Sequence, residues 1–350
     1  MWWSISISNI GVLSLWILLF ICEVVNMNAS QARKILERQA SLPLYLHAYS
    51  FHMNMRLEQI LPADLLDIAH QQGLRGVKIH ILDGESRSLK YLSDQELAAF
   101  RRKAEQLRLD INLEISSSAP AEIDEAVTVA EKIGATSLRF YPRYEGHLST
   151  VLARIRDDLA HIRQQHGHRE LSFTIEQHED LKSGELVKLV QESGIDSLSL
   201  LFDFGNMINA NEQPLAALQI MAPHIAHVHI KDAKIIPEGT GLGHIACASG
   251  TGDMPFEELL KQLICLGDDT PQVLAYGLEE EVDYYAPAFR FSDEGNDPWI
   301  PWREMSETPL PAPELLSARL IQEKQDAIRQ IEHVRAVLKK LVTQAETILN

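Results

Sequence analysis

Leu201-Phe-Asp-Phe-Gly-Asn206 and, further along, His227-Val-His-Ile-Lys-Asp232 decide how this chain reads. Each is an apolar run that stops at a side chain able to bind a metal, Asp203 in the first and His229 in the second. A carboxylate at the end of a buried strand is costly unless something pairs with it. In the second stretch His227, His229 and Lys231 alternate with Val228 and Ile230, so one pleat face is polar and the other apolar. The two segments predict buried strands whose ends form a catalytic rim rather than part of a generic core.

Outward from this pair the same pattern recurs. From residue 44 onward short β-rich runs alternate with longer amphipathic stretches, as expected of repeated βα units around a parallel sheet. Eight runs are predicted as strands: 44–51, 76–81, 110–116, 136–141, 171–177, 197–206, 224–232 and 272–282. Helical patterns lie between them, among them 94–107, 121–133, 150–165, 181–193 and 256–266. Eight alternations favour an α/β fold of the closed (β/α)8, TIM-barrel kind over an open doubly wound sheet. No Gly-x-Gly-x-x-Gly follows an early strand, which removes the best sign of a dinucleotide fold. The barrel is expected over 27–290. The irregular text from Ala286 to Pro311 reads as a long loop, an active-site lid or packing for the tail. The region 291–350 then ends in an amphipathic helix with Leu315, Leu316, Ile321, Ile328, Ile331 and Val334 on one face. That face predicts packing on the barrel or a subunit contact in a homo-oligomer.

Residues 1–26 form an apolar leader with the single charge Glu23, long enough to span a bilayer. It is read as a membrane anchor, a cleaved signal, or text upstream of a true start at Met27. The basic residues Arg33, Lys34 and Arg38 follow it, which would leave the barrel in the cytoplasm. A formal charge of −17 argues against nucleic acid or an anionic membrane surface as partner. Cys22, Cys247 and Cys265 are too scattered for a disulfide framework or thiolate metal site, consistent with a reducing compartment.

In a closed parallel barrel the functional side chains stand at the C-terminal strand ends. Strand five ends in Glu176 and His178, strand six in Asp203, strand seven in His229, and strand eight in Glu279-Glu-Glu281. Each alone has a plain explanation: a paired surface carboxylate for Glu176, a helix cap for Asp203, a satisfied core imidazole for His229. Four consecutive strands supplying Glu, Asp, His and Glu is a different matter. Three carboxylates and an imidazole suit one divalent cation, Mn, Mg, Co or Zn. On pattern alone Glu279 and Glu281 share a face and both remain candidates.

Together, Ile175-Glu-Gln-His178, Phe202-Asp-Phe-Gly-Asn206, His227-Val-His-Ile-Lys-Asp232, Gly250-Thr-Gly-Asp-Met-Pro-Phe256 and Glu279 resemble the sugar phosphate isomerase/epimerase family with its xylose isomerase-like TIM barrel. The resemblance spans about residues 44–290. It implies that Glu176, Asp203, His229 and Glu279 hold one divalent metal, Glu279 being nearest the family's position. It further implies a sugar or polyol substrate, handled by proton transfer next to a carbonyl through an enediolate. Glu176 and Glu279 would exchange the proton, and Arg139, His178, Lys231 and Asp232 would assist as second-layer or substrate-binding groups. Isomerisation, epimerisation and dehydration of a keto-polyol all fit that layout; a sugar-binding non-enzyme is a further alternative. Some relatives place a His three positions after the strand-six Asp, where this chain has Asn206. That weakens a three-metal abasic-site nuclease of the endonuclease IV type, which His52 and His80 would otherwise support.

Overall fold

The computed structural model describes residues 27–302 and 308–350; the apolar leader 1–26 lies outside the described residues. Eight parallel strands close a barrel: β1 (Leu44–His47), β2 (Gly76–His80), β3 (Asp110–Ile115), β4 (Ser137–Phe140), β5 (Ser172–Glu176), β6 (Leu198–Asp203), β7 (Ile225–Ile230) and β8 (Ala275–Leu278). They pair in chain order and β8 closes back onto β1, the topology of a TIM barrel. All eight runs expected from the sequence are strands, each trimmed at its C-terminal end where the functional side chains leave the sheet.

Alternation divides these strands into two populations. Val77, Ile79, Leu113, Leu138, Phe140, Phe173, Ile175, Leu200, Phe202, Val228, Ile230 and Leu278 are fully buried in the hydrophobic core. Their neighbours of opposite parity are polar: His47, Lys78, Asn112, Glu114, Arg139, Thr174, Glu176, Asp203, His227 and His229, all buried as well. Contacts across the barrel between strands that are not neighbours, such as Glu114 of β3 with His229 of β7, place this second set inside it. The apolar core therefore lies between sheet and helices, and the barrel interior is charged. Gly277 makes room for that interior, since a Cβ there would come within 2.5 Å of the Lys78 side chain.

The helices are α1 (Ala29–Arg38), α2 (His52–Arg56), α3 (Pro62–Gln71), α4 (Asp94–Leu107), α5 (Pro120–Ile133), α6 (Leu148–His166), α7 (Ser183–Ser193), α8 (Pro214–Met221), α9 (Phe256–Cys265) and α10 (Pro313–Leu349). Their ends follow local chemistry. Ser93 and Glu96 cap α4 reciprocally, and Pro120 opens α5 where its missing N–H is no loss.

Ordered structure extends beyond the eight strands and their helices. The segment after β7 is a hairpin, Asp232–Glu238 against Gly241–Cys247, and within the span from Ala286, expected as a long loop, Trp299–Ile300 pairs with Gly146–His147. In α10 the buried face starts later than expected. Ile331, Val334, Leu338, Leu341 and Ala345 are buried, whereas Leu315 and Ile321 are 58% and 59% exposed. Glu323, Asp326 and Gln330 are buried in the turns between: Glu323 and Gln330 bond to barrel backbone there, and Asp326 pairs with Arg319, Gln322 and Arg329 of the same helix. No helix among the described residues is long and apolar enough to cross a membrane.

Candidate metal centre

Parallel pairing sets the C-terminal ends of β5 to β8 side by side, with Asp203 opposite His229 and His229 opposite Gly277, two residues before Glu279. The imidazole of His229 is the hub. Its Nδ1 lies 3.0 Å from Glu279 Oε2, 3.4 Å from Glu176 Oε1 and 3.9 Å from Asp203 Oδ2. Glu279 rather than Glu281 makes this approach; Glu281 instead accepts a hydrogen bond from Thr308 Oγ1 at 2.7 Å. Asp203 and His229 are fully buried, and Glu176 and Glu279 nearly so.

The surroundings fix each group. Asp203 Oδ1 accepts the amide hydrogens of Gly205 and Asn206 at 2.7 and 2.9 Å, which leaves Oδ2 facing the centre. Arg139 Nε lies 2.8 Å from Glu176 Oε2, and Asn206 donates through Nδ2 to Glu176 Oε1 at 3.2 Å. Lys231 places its ammonium 3.0 Å from Asp203 Oδ2, 3.6 Å from Glu279 Oε1 and 3.2 Å from Asn206 Oδ1.

Charge and burial contend at every ligand. Burial pushes the Asp203 carboxyl up, and Glu279 and Glu176 add to that against the opposing pull of Lys231, leaving it at about 6. Burial would raise Glu279 too, but Lys231 and His229 hold it well below the carboxylate range. Glu176 is likewise held low by Arg139 and His229 against its burial. For His229 burial disfavours the charge, yet Glu114, Glu279 and Glu176 hold its pKa well above the imidazole norm.

These residues fit a divalent cation. His229 Nε2 donates to Glu114, so the Nδ1 lone pair points into three carboxylates, and Nδ1, Asp203 Oδ2 and Glu279 Oε2 are buried without a hydrogen bond. A lone pair facing anions is repulsive unless a proton or metal stands between them. One nitrogen and three oxygens form a donor set for a hard or borderline ion. Metal-type side chains also cluster as Glu176, Asp203, His229 and as His47, His229, Glu279.

Of the other residues singled out in the sequence, Arg139 and Lys231 contact the quartet. His178 stacks on Tyr141 at 3.9 Å between ring centres. Asp232 is committed elsewhere: its carboxylate accepts backbone N–H bonds from Ala233, Gly250 and Gly252 at 2.8–2.9 Å and from Met254 at 3.4 Å. His80 uses Nδ1 to accept from Leu82 and so donates through Nε2 to Ser116, while His52 packs on Tyr49. Neither belongs to a metal-type cluster among the described residues. The sequence reading missed Glu114, His47 and Lys78, all fully buried around the hub.

This fold and site define a class, and the chain belongs to the xylose isomerase-like TIM barrel family, which its residues 66–292 match. It is 65% identical over 321 residues to the uncharacterized protein YihM of Escherichia coli K12, covering 92% of this chain and 98% of that one. Among solved structures it resembles D-psicose 3-epimerase crystallised in the presence of D-fructose, with a TM-score of 0.58, 14% identity, and coverage of 85% of this chain and 99% of that one. A xylose isomerase-like barrel from Mycobacterium smegmatis in complex with magnesium superposes with a TM-score of 0.54 at 13% identity, covering 88% and 99%.

Proposed function

We propose that this protein is a divalent-metal-dependent isomerase or epimerase of a sugar or related polyol, working by proton transfer beside a carbonyl. The observation that carries the reading is the convergence of Glu279, Glu176 and Asp203 on one buried imidazole nitrogen. Glu176, Asp203, His229 and Glu279 would hold the metal. When bound, it supplies Lewis acidity to a carbonyl and an adjacent hydroxyl, so the α-proton becomes acidic and the enediolate is stabilised.

The chain's own residues account for the rest. Glu176 and Glu279 are held ionised by Arg139 and Lys231, as proton acceptors must be. Removal of the proton by one and return by the other inverts the carbon; return to the neighbouring carbon isomerises. Lys231, within 3.0 Å of Asp203, puts a fixed positive charge where negative charge develops on the substrate oxygens. The enclosure of these groups keeps competing water away from the intermediate.

Dehydration of a keto-polyol starts with the same proton removal and ends with loss of a hydroxyl. The Lys231 ammonium, 3.0 Å from Asp203 Oδ2, supports this second reading as a fixed positive charge that stabilises a departing oxygen.

The test is incubation of Mn2+-loaded protein with ketoses in D2O, followed by proton NMR. Deuterium entering α to the carbonyl with altered configuration supports the epimerase, and a shifted carbonyl the isomerase. Loss of water supports the lyase. Absence of both bound metal and α-exchange across ketopentoses and ketohexoses would falsify the reading.

A further inference from the structure

We infer that Glu114, acting with Arg139, is the positioning residue of this centre: it fixes the tautomer and aim of His229 and ties together ligands from two strands. The inference rests on the metal-site reading above and extends it to residues outside the ligand quartet.

Glu114 stands one residue before the end of β3, on the far side of the barrel from β7, and its carboxylate reaches across the interior. Oε1 accepts from His229 Nε2 at 3.0 Å, with Lys78 Nζ at 3.5 Å. Oε2 lies 3.0 Å from His47 Nε2 and 2.5 Å from Arg139 Nη2. The His47 bond has one polarity. His47 Nδ1 accepts the Tyr49 amide hydrogen at 3.0 Å, so the proton of that imidazole is on Nε2 and is donated to Glu114.

A fully buried carboxylate with donors on both oxygens is an acceptor only. His229 must then carry a proton on Nε2, which leaves Nδ1 to face the three ligand carboxylates. Arg139, paired in register with Glu114, sets its Nε 2.8 Å from Glu176 Oε2 as an ion pair, which leaves Oε1 on the side of His229 Nδ1. One ion pair thus orients a nitrogen ligand from β7 and an oxygen ligand from β5. Carboxylates that hold a metal-bound imidazole in this way raise its basicity and its affinity for the ion.

The plainer role for Glu114, neutralising the buried Arg139 and Lys78, predicts lost stability with no change in metal binding. Glu114→Gln separates the two. It keeps the shape, but its amide nitrogen cannot accept from His47, Arg139 or His229. Mn2+ binding to Glu114→Gln and to wild type is compared by calorimetry at a temperature where circular dichroism shows both folded, with Co2+ absorption as a second probe. The expected result is a dissociation constant raised by about 10–100-fold and an altered Co2+ spectrum. Equal binding and equal spectra overturn the inference while leaving the metal site standing; wild-type protein that binds no Mn2+ overturns both. If Glu114→Gln does not fold, 15N NMR of Zn2+-loaded wild type decides the matter. A His229 tautomer protonated at Nε2 supports the assignment, and one protonated at Nδ1 overturns it.

Discussion

At His229 burial works to drive off a proton while Glu114, Glu279 and Glu176 draw one on, and the carboxylates win. Asp203 holds a proton up to about pH 6, through burial and its neighbouring carboxylates. A cation entering the quartet has to displace both protons. Apparent Mn2+ affinity is therefore expected to fall as pH drops through about 6, where Asp203 protonates, and to keep rising above it while His229 is still being stripped. Calorimetry in two buffers of different ionisation enthalpy checks this; binding at pH 6 should release on the order of one proton or more per metal. Binding without proton release would show that the metal sits elsewhere. The quartet was legible because each member stands where an apolar run stops. Glu114 was not, although Asp110, Asn112 and Glu114 alternate with Ile111, Leu113 and Ile115. Alternation suggests one wet face in an antiparallel sheet, but a closed parallel barrel is covered on both sides, so there a polar face has to point inward. With the barrel already inferred, that parity was the available clue to Glu114 and Lys78.

The hairpin Asp232–Glu238/Gly241–Cys247 shows what an element adds to the barrel and why it was hidden. The run from Pro237 to Gly243 contains three glycines and a proline, so no period-2 pattern survives across the turn, and the segment reads as loop. Asp232 begins the hairpin and gathers the amides of residues 233, 250, 252 and 254, pinning the following loop beneath it. Gly252 is required by that approach, since a Cβ there would lie 2.1 Å from Asp232 Oδ1. The sequence alone suggested contact with substrate for Asp232, because a carboxylate beside a site looks the same whether it faces a ligand or backbone. Asp232→Ala is expected to cost on the order of 1–3 kcal/mol, the usual consequence of leaving buried donors unpaired. Faster amide exchange confined to residues 250–254, a lower melting temperature, and Mn2+ affinity within about twofold of wild type would follow if the role is scaffolding. A large loss of affinity in folded Asp232→Ala would instead put this carboxylate in the site.

Across the whole molecule, α10 joins the chain's end to the rim that carries the centre. Its apolar residues from Ile331 to Ala345 are buried in the common core, an arrangement the helical spacing foretold in kind but not in extent. The earlier turns bind through polar groups that no hydrophobic pattern reports. Gln330 donates to the carbonyls of Ile230 at 2.9 Å and Glu279 at 3.1 Å, so the helix holds the backbone beside two strands of the quartet. Glu323 reaches the N-terminal end of α2, where Oε1 accepts from the amide of Met53 at 2.7 Å and Oε2 from that of Asn54 at 2.9 Å. A carboxylate there satisfies amides that a helix start leaves without partners and meets the positive end of the helix dipole. Because those bonds join residues some 270 positions apart, α10 and the barrel are expected to unfold together. Urea denaturation should give one transition, coincident by far-UV circular dichroism and tryptophan fluorescence. Glu323→Ala should move both curves by the same amount, on the order of 1–3 kcal/mol, and Glu323→Gln, which keeps one acceptor oxygen, by less. Two separated transitions in the wild type would show instead that α10 is an independent unit, and that the backbone beside Glu279 is set by the barrel alone.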